Sequence, residues 1–411
     1  MSQHALLSAG TKSWRSLACS RSELRLDLTL GCGQSFRWRE TGDGHWTGVM
    51  GGRVWTLTQT DDTLWYHTYN SPNTIGGDGR KRSAGSLLQG SGKRSKGVIE
   101  VKEEEEGEPV AVTPDPDRKE EELLNDYFQL KVKLGDLYRD WGAADPHFNS
   151  IAKIFTGVRM LRQDPTECLF SFICTSNNHI SRIQGMVERL CQSLGTPLCQ
   201  LDQTSYHDFP SLHALADNSV EARLRDLGFG YRARFLQQSA RQILDSHGGP
   251  HWLQGLRSAP YLQARDALRT LPGVGPKVCL NPSGQLRVAD CVCLMSLEKA
   301  CVVPVDTHVW QIAKRDYSCA AGNGQKSLTD KVHRQIGDFF RQLWGPYAGW
   351  AHSVLFCSDL KKFQKLKETH CLKQEEEKKK VKIKVEGEGM NKKIKKMCNR
   401  KVKMCVKEEV G

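Results

Sequence analysis

The sequence lacks the features that mark membrane and secreted proteins. No apolar run approaches the roughly 18 residues that a membrane-spanning helix needs, and no charged segment followed by an apolar one resembles a cleavable leader. The 15 cysteines are an odd number and do not have the spacing of a disulfide framework. We therefore expect no membrane association and a reducing compartment, nuclear or cytosolic.

The net positive charge is concentrated at the C-terminus. The net charge is +12, but residues 361–411 contain 18 Lys and Arg against 8 Glu and so account for +10 of it. Because aromatic residues are rare there, we predict a disordered Lys-rich tail over 361–411. Its predicted role is nuclear localisation with loose binding of polyanions, and a merely solvated terminus is the alternative.

Two further segments are predicted to lack a packed structure. Residues 1–20 are predicted to form a flexible leader, and the absence of acids in residues 1–22 leaves a mitochondrial form open. Residues 70–117 are rich in Gly, Ser, Pro and blocks of one charge sign, so burial cannot offset the entropy of ordering them. We predict that they form a disordered linker.

The hydrophobic pattern divides the remaining chain into two domains. Over residues 21–135, four leucines alternate at 24–30 and further alternating runs are separated by turn residues at 51–52 and 61–62, which predicts a small antiparallel sheet. Over residues 136–360 the period is helical. Asp164, Pro165 and Glu167 have the spacing of a helix start, and Gly228 is a helix stop. We predict an α+β protein whose second domain is all-helical.

A glycine-rich turn, Leu271–Gly275, separates two of the predicted helices, and Lys277 follows it. Such a turn before a helix presents unpaired backbone N–H groups, so Gly273 and Gly275 are candidates for binding a DNA phosphate. A glycine pair in a loop is more often only a turn. The pair therefore needs support from other residues.

A carboxylate begins a later helix. Asp306 immediately precedes a helical run, and His308 lies in its first turn. As a helix cap Asp306 needs no other function, but across a cleft from Lys277 it would complete a pair of nucleophile and charge stabiliser. His352 and Phe356 lie one helical turn apart and offer a polar edge and an aromatic face, with core packing as the alternative.

Two short stretches carry residue types that contact bases and phosphates. Tyr231 and Arg232 occur in "GYRAR", and Asn177 and Arg182 occur in "SNNHISR". Arginine and asparagine side chains hydrogen-bond to base edges and phosphate oxygens. These four residues are candidate DNA contacts.

At these positions the sequence resembles the eukaryotic 8-oxoguanine DNA glycosylase/lyases of the helix-hairpin-helix glycosylase superfamily. The resemblance runs from about Arg21 to about Phe363, apart from the linker. It rests on the collinear stretches "GQSFRWRE", "RQDPTECLFSFICTSNN", "LGFGYRAR", "LPGVGPK", "VPVDTH" and "LWGPYAGWA".

The resemblance implies an enzyme that flips a damaged guanine out of the duplex, because the glycosidic bond is unreachable in the stack. Lys277 is then the nucleophile that attacks the sugar carbon and forms a Schiff base, which requires a neutral amine. Asp306 stabilises the positive charge that develops on the sugar, and His308 contacts a phosphate. The implied partner is double-stranded DNA that contains 8-oxoguanine opposite cytosine.

The resemblance also implies a base pocket. The carbonyl of Gly33 accepts a hydrogen bond from the N7 hydrogen that 8-oxoguanine has and guanine lacks. Cys291 and Phe356 are implied to stack on the two faces of the base, with Met295 nearby. Asn177, Arg182 and Arg232 are implied to hold the unpaired cytosine. Tyr231 is implied to fill the gap that the flipped base leaves.

Two departures from the family pattern bear on activity. His352 stands where the family has glutamine, which changes the contact to the pairing edge of the base. About ten extra residues, 279–288, follow Lys277 and include a Pro-Ser-Gly turn. We expect the helix to restart only near Gln285 and to leave Lys277 on a loop, and a looped-out bulge that leaves the lysine in place is the alternative.

Other readings of the family are open at this stage. A sister class with an iron-sulfur cluster is rejected because Cys398 and Cys405 lack a Cys-x-x-Cys partner, so we expect neither a metal nor another cofactor. A damaged-DNA-binding variant whose catalysis is impaired by the insertion is the alternative to an active enzyme. We expect a monomer.

Overall fold

A five-stranded antiparallel sheet forms the N-terminal part of the fold. The computed structural model describes residues 2–7, 13–69, 116–176, 178–274, 283–321, 328–370 and 372. The strands are β1 (Arg15–Ala18), β2 (Trp38–Gly42), β3 (His45–Met50), β4 (Arg53–Gln59) and β5 (Thr63–Tyr69), in the order β1-β5-β4-β3-β2. The predicted antiparallel sheet is confirmed.

The two predicted turns join these strands. Gly51 and Gly52 connect β3 to β4 with φ angles of 58° and 70°, a backbone conformation that favours glycine and suits a two-residue hairpin. The turn at 61–62 connects β4 to β5. Turn chemistry alone therefore located both connections.

The N-terminal residues are ordered, so the prediction of a flexible leader over 1–20 is wrong for 2–7 and 13–20. Strand β1 pairs with β5 from Arg15–Tyr66 to Ala18–Thr63. The buried side chain of His4 hydrogen-bonds to the Asp202 carboxylate at 2.8 Å. These partners lie far along the chain, which is why the local sequence does not reveal them.

The four alternating leucines do not form a strand. Residues Leu26–Thr29 form the short helix α1, and Leu24, Leu26 and Leu30 pack into the core under the sheet while Leu28 packs into the core of the helices. The strand prediction was wrong because this segment lies between two cores and is buried on both sides. From there the chain leads into the loop that contains Gly33.

Helices form most of the remaining chain, and the α+β class is confirmed. They are α2 (Pro116–Tyr127), α3 (Leu134–Ala144), α4 (Pro146–Ala152), α5 (Pro165–Ile173), α6 (Ile180–Leu194), α7 (Leu212–Ala216), α8 (Val220–Asp226), α9 (Arg232–His247), α10 (Pro250–Gly255), α11 (Tyr261–Leu268), α12 (Ser283–Ser296), α13 (Thr307–Tyr317), α14 (Asp330–Trp344) and α15 (Ala348–Asp359). Strands β6 (Pro197–Leu201) and β7 (Thr204–His207) form a hairpin among them, so this domain is mostly rather than wholly helical.

The predicted helix ends agree with the structure. The side chain of Asp164 accepts hydrogen bonds from the backbone N–H groups of Thr166 and Glu167 at 2.8 and 2.9 Å, with Pro165 at the first helical position. Gly228, with φ of 84°, follows α8. Capping chemistry therefore sets both boundaries.

The segment limits at the linker and the tail need correction. Residues 70–115 lie outside the described part, and α2 already begins at 116, two residues before the predicted end of the linker. Residues 361–370 are helical rather than disordered, because Phe363 is 7 % exposed and packs into the helical core. Within the described ranges no helix is long and apolar enough to cross a membrane.

Candidate functional site

The loop with Gly33 has a backbone that only glycine adopts easily. Its φ is 83°, and a Cβ atom there would lie 3.0 Å from Cδ1 of Ile180 at the start of α6. Gly33 is partly exposed. The loop therefore presents bare backbone at the edge of the helical domain, as recognition by a main-chain carbonyl requires.

Glutamine side chains hold this loop in place. The buried Gln34 donates from Nε2 to the carbonyl of Arg159 at 2.8 Å and accepts at Oε1 from the N–H of Leu161 at 3.0 Å. Gln163 donates from Nε2 to the Gln34 carbonyl at 2.9 Å, and its own N–H donates to the Met295 carbonyl at 2.9 Å. Gln163 thus connects the Gly33 loop to α12.

Gln163 was not singled out from the sequence. The available signal was its position immediately before the Asp164 cap, within the stretch "RQDPTECLFSFI". Its role depends on the meeting of two segments more than 120 residues apart along the chain, which a local pattern does not show.

Helix α12 carries two predicted pocket residues. Cys291 is 3 % exposed, and Met295 is partly buried one helical turn further along. Helix α12 begins at Ser283, two residues before the predicted restart near Gln285, so Ser283 and Gly284 are helical rather than part of the predicted turn. Gly275 and Lys277 lie outside the described residues, as do 279–282 of the insertion.

The described half of the glycine turn is tightly packed. Gly273 has φ of 78°, and a Cβ atom there would lie 2.8 to 2.9 Å from the side chain of Phe235. The hydroxyl of Ser239 donates to the Pro272 carbonyl at 2.8 Å. Helix α9 therefore supports the turn from one side.

Asp306 is the cap of α13, as the sequence predicts. Its Oδ1 accepts from the N–H of Val309 at 2.9 Å, and the residue is 6 % exposed. His308 follows in the first turn, with Nδ1 at 3.8 Å from Oδ2 of Asp359 and 61 % of its side chain exposed. An exposed histidine beside a carboxylate at a helix start is suited to contact a phosphate.

Helix α15 brings the aromatic residue to this group. The ring of Phe356 lies edge-on to that of His308 with centroids 6.5 Å apart, and 6.2 Å from the buried ring of His352. His308, His352 and Phe356 therefore form one contiguous wall. Phe356 is partly exposed, so its face is available for stacking.

Two thiols join this wall to the Gly33 loop. Cys32 and Cys357, the neighbours of Gly33 and Phe356 in the chain, are both buried. A hydrogen bond from the Cys357 thiol outweighs burial and lowers the pKa of Cys32, while burial raises the pKa of Cys357. Cys32 and Cys357 both belong to the core of the helices, so the Gly33 loop and α15 pack into the same core.

The predicted cytosine contacts lie at the start of α9. The hydroxyl of Tyr231 donates to the Ser176 carbonyl at 3.4 Å, and the guanidinium of Arg232 also hydrogen-bonds to that carbonyl. The Arg232 guanidinium lies 4.6 Å from the centre of the Tyr231 ring. Tyr231 is 43 % exposed, whereas Arg232 is 5 % exposed.

Arg182 is exposed on α6, and Asn177 lies outside the described residues. The structure therefore brings Tyr231 and Arg232 to Ser176, the residue before Asn177. The buried state of Arg232 means that its predicted contact with cytosine stays a prediction.

We use the term recess for the region bounded by the Gly33 loop, by Cys291 and Met295 on α12, and by the rings of α15. A bare backbone at Gly33, a thiol and a thioether on α12, and the rings of α15 meet through Gln163 and through the contact between Cys32 and Cys357. A capped carboxylate, Asp306, begins the adjacent helix. Such a site offers sulfur atoms and aromatic rings for stacking, a backbone carbonyl that can accept a hydrogen bond, and one negative charge.

Two family descriptions match the chain in succession. Residues 16–169 match the N-terminal domain of 8-oxoguanine DNA glycosylase, and residues 170–337 match the HhH-GPD superfamily of base excision DNA repair proteins. The fold and the site thus define a helix-hairpin-helix DNA repair glycosylase.

Two curated proteins are similar in sequence to this chain over most of their length. The N-glycosylase/DNA lyase OGG1 of Arabidopsis thaliana is 35% identical over 356 residues, which are 85% of this chain and 81% of the relative. The N-glycosylase/DNA lyase of Saccharomyces cerevisiae is 33% identical over 396 residues, 87% of this chain and 92% of the relative. The chain belongs to the 8-oxoguanine DNA glycosylase family and is a DNA N-glycosylase with lyase activity.

Solved structures show the same fold. That of MBOgg1 in complex with a low affinity DNA ligand has a TM-score of 0.62 and 25% identity, and covers 84% of this chain and 94% of its own. The apo form of Clostridium acetobutylicum 8-oxoguanine glycosylase/lyase has a TM-score of 0.60 at 22% identity, with 82% and 93% coverage. The first of these two structures contains DNA, which confirms the prediction that the chain binds DNA.

Proposed function

We propose that this chain removes 8-oxoguanine paired with cytosine from double-stranded DNA and cleaves the strand through a lysine Schiff base. The observation that carries the proposal is the meeting of the Gly33 loop with α12 and α15 around one recess. The Gly33 carbonyl accepts a hydrogen bond from the N7–H group of 8-oxoguanine. Guanine lacks this hydrogen and therefore leaves the carbonyl without a hydrogen-bond partner. Cys291 and Phe356 stack on the two faces of the base.

Lys277 is the proposed nucleophile. Its neutral amine forms a bond to the sugar C1′ as the bond from C1′ to the base breaks, and the base leaves with the bonding electrons and takes up a proton. The carboxylate of Asp306 stabilises the positive charge on the sugar. Ring opening then gives the Schiff base, from which loss of a proton at C2′ expels the 3′ phosphate.

Trapping with borohydride tests this mechanism, because only a Schiff base is reduced to a stable covalent adduct. We expect the full chain to form an adduct with a duplex that has 8-oxoguanine opposite cytosine and none with an undamaged duplex. Lys277→Gln removes the amine and abolishes the adduct. Lys314→Gln, which removes an exposed lysine on α13, leaves the adduct unchanged.

Each other result has a definite meaning. An adduct that survives Lys277→Gln contradicts the assignment of the nucleophile. Equal adducts on damaged and undamaged duplexes contradict the proposed substrate. A gel shift without any covalent adduct favours the alternative of a DNA-binding variant with impaired catalysis.

His352→Gln is expected to strengthen recognition of 8-oxoguanine. His352 lies beside Phe356, the proposed stacking residue, and the proposal has the side chain at position 352 contact the pairing edge of the base. A fitted hydrogen-bond partner is expected to stabilise the transition state for excision by on the order of 1–3 kcal/mol, and the excision rate should rise accordingly. Single-turnover excision by the two proteins measures the difference, and equal rates would show that position 352 does not contact the base.

The Lys-rich tail is proposed to direct the protein to the nucleus and to add salt-sensitive, non-specific affinity for DNA. Since Phe363 belongs to the helical core, the tail must be removed after Lys373 rather than at Leu360. We expect the shortened chain to lose nuclear accumulation and, at low salt only, affinity for undamaged duplex. Unchanged accumulation in fluorescence images would refute the localisation.

We also propose that the protein is a monomer in the nucleus, with a second, mitochondrial form as the alternative localisation.

A further inference from the structure

A buried carboxylate lies on α12 immediately before the pocket residue Cys291. Asp290 is fully buried, and its Oδ1 accepts a hydrogen bond from the hydroxyl of Tyr261 at 2.8 Å. Nε of Arg265 lies 3.1 Å from Oδ1, and Nε2 of His333 lies 3.1 Å from Oδ2. We call these four residues the Asp290 cluster.

The Asp290 cluster joins three helices. Tyr261 and Arg265 belong to α11, which precedes the glycine turn, Asp290 belongs to α12, which follows it, and His333 belongs to α14. Arg265 is 7 % exposed and His333 is 5 % exposed. A buried carboxylate is tolerated only where opposite charge and hydrogen-bond donors surround it, so these contacts tie α12 to α11 and α14.

The contacts of Asp290 also fix how α12 is rotated about its axis. Consecutive helical residues point about 100° apart, so a side chain fixed at 290 determines where the side chain at 291 points. Cys291 and Met295 are four residues apart and share a face. The insertion, residues 279–288, ends before Asp290, so Asp290, Cys291 and Met295 all follow it in the chain.

We propose that Asp290 is a positioning residue that sets the direction of the pocket face of α12, independently of the chain between Lys277 and Val288. The inference rests on the proposed function, because Cys291 and Met295 matter to catalysis only if a base enters the recess. It follows that the insertion leaves base recognition intact and acts on the nucleophile alone.

The test compares two substrates with the full chain and its Asp290→Asn variant. One duplex has 8-oxoguanine opposite cytosine, and the other has an abasic site, which offers the sugar carbon to Lys277 but no base to the pocket. We expect Asp290→Asn to slow excision on the order of a hundredfold, the loss caused by a misplacement of about an angstrom. Borohydride trapping on the abasic duplex is expected to stay within about twofold, because this step does not use the pocket.

Asp145→Asn is the matched control for a loss of stability. Asp145 is a buried carboxylate that accepts from the hydroxyl of Tyr317 at 2.7 Å and from Nε1 of Trp344 at 3.2 Å, away from the recess. We expect it to affect both substrates equally. The double variant Asp290→Leu with Arg265→Met removes the charges together, and we expect it to restore the melting temperature but not the excision rate.

Four outcomes would overturn the inference. Equal losses on both substrates would assign Asp290 a merely structural role, and so would recovery of excision in the double variant. Normal excision by Asp290→Asn would overturn the inference and leave the proposed function standing. A full chain that forms no product and no adduct on either duplex would instead overturn the proposed function, and the inference with it.

Discussion

Deletion of residues 279–288 will raise the rate of borohydride trapping on 8-oxoguanine duplexes on the order of a hundredfold, the size of effect expected from an angstrom-scale correction of position. The deletion joins Val278 to Ala289, so Lys277 and Cys291 come to lie four residues apart, one helical turn. With the insertion present, ten residues that include Pro282 separate Val278 from Ala289 in the chain, and a proline inside a continuous helix would cost roughly 3 kcal/mol.

The described part of the insertion fits this expectation. Helix α12 begins at Ser283 and continues through Cys291, so the insertion contributes the first turns of the helix that carries the pocket residues. The contacts of Asp290 with Arg265 and His333 hold the later part of α12 in place. We therefore expect the deletion to draw Lys277 toward the recess rather than to displace Cys291.

Lys277→Gln in both forms is the control, since it must abolish trapping in each if the lysine is the nucleophile. Equal trapping rates for the full and shortened chains would mean that the insertion is looped out and leaves the lysine in place. A shortened chain that forms no adduct while it still binds the duplex would refute the assignment of Lys277 altogether.

Local chemistry accounts for the parts of the fold that could be predicted. The turn at Gly51–Gly52 and the cap at Asp164 depend on one or two residues whose conformations or hydrogen bonds are formed within the same turn. The start of α12 at Ser283, the residue after Pro282 in the sequence, is of the same kind. Such features need no partner elsewhere in the chain.

The elements that were missed depend on distant partners or on an unusual turn. Strand β1 has only four residues and is exposed at alternate positions, and β5 supplies its backbone hydrogen bonds. The β6–β7 hairpin turns at Asp202, whose φ of 51° is tolerated by Asp but gives a weaker signal than glycine would. The helix at 364–370 follows a single core aromatic, Phe363, within a Lys-rich stretch.

The same division applies to the site. Gly33 and Cys291 were named through a resemblance, and His352 and Phe356 first through their spacing of one helical turn, which the contact between their rings confirms. What connects them, chiefly Gln163 and the thiol pair, consists of contacts between remote segments. Hydrogen bonds of that kind leave no periodicity or spacing in the sequence, so they become visible only in the folded chain.

Asp306→Asn will separate the two roles of this residue. Asparagine caps helices about as well as aspartate, so the hydrogen bond to the N–H of Val309 is kept and the free energy of unfolding should change by only a few tenths of a kcal/mol. The negative charge is lost. If that charge stabilises the developing positive sugar, excision of 8-oxoguanine should fall on the order of a hundred- to a thousandfold.

Asp306→Ala removes both the cap and the charge, so it should lose about 1 kcal/mol of stability in addition to the same loss of excision. Asp164→Asn is the matched control, because Asp164 caps α5 by the same kind of hydrogen bond outside the recess, and we expect it to leave stability and excision nearly unchanged. Urea unfolding and single-turnover excision measure the two quantities separately. Asp306→Asn protein that excises 8-oxoguanine at the rate of the unaltered chain would show that Asp306 is a helix cap and nothing more.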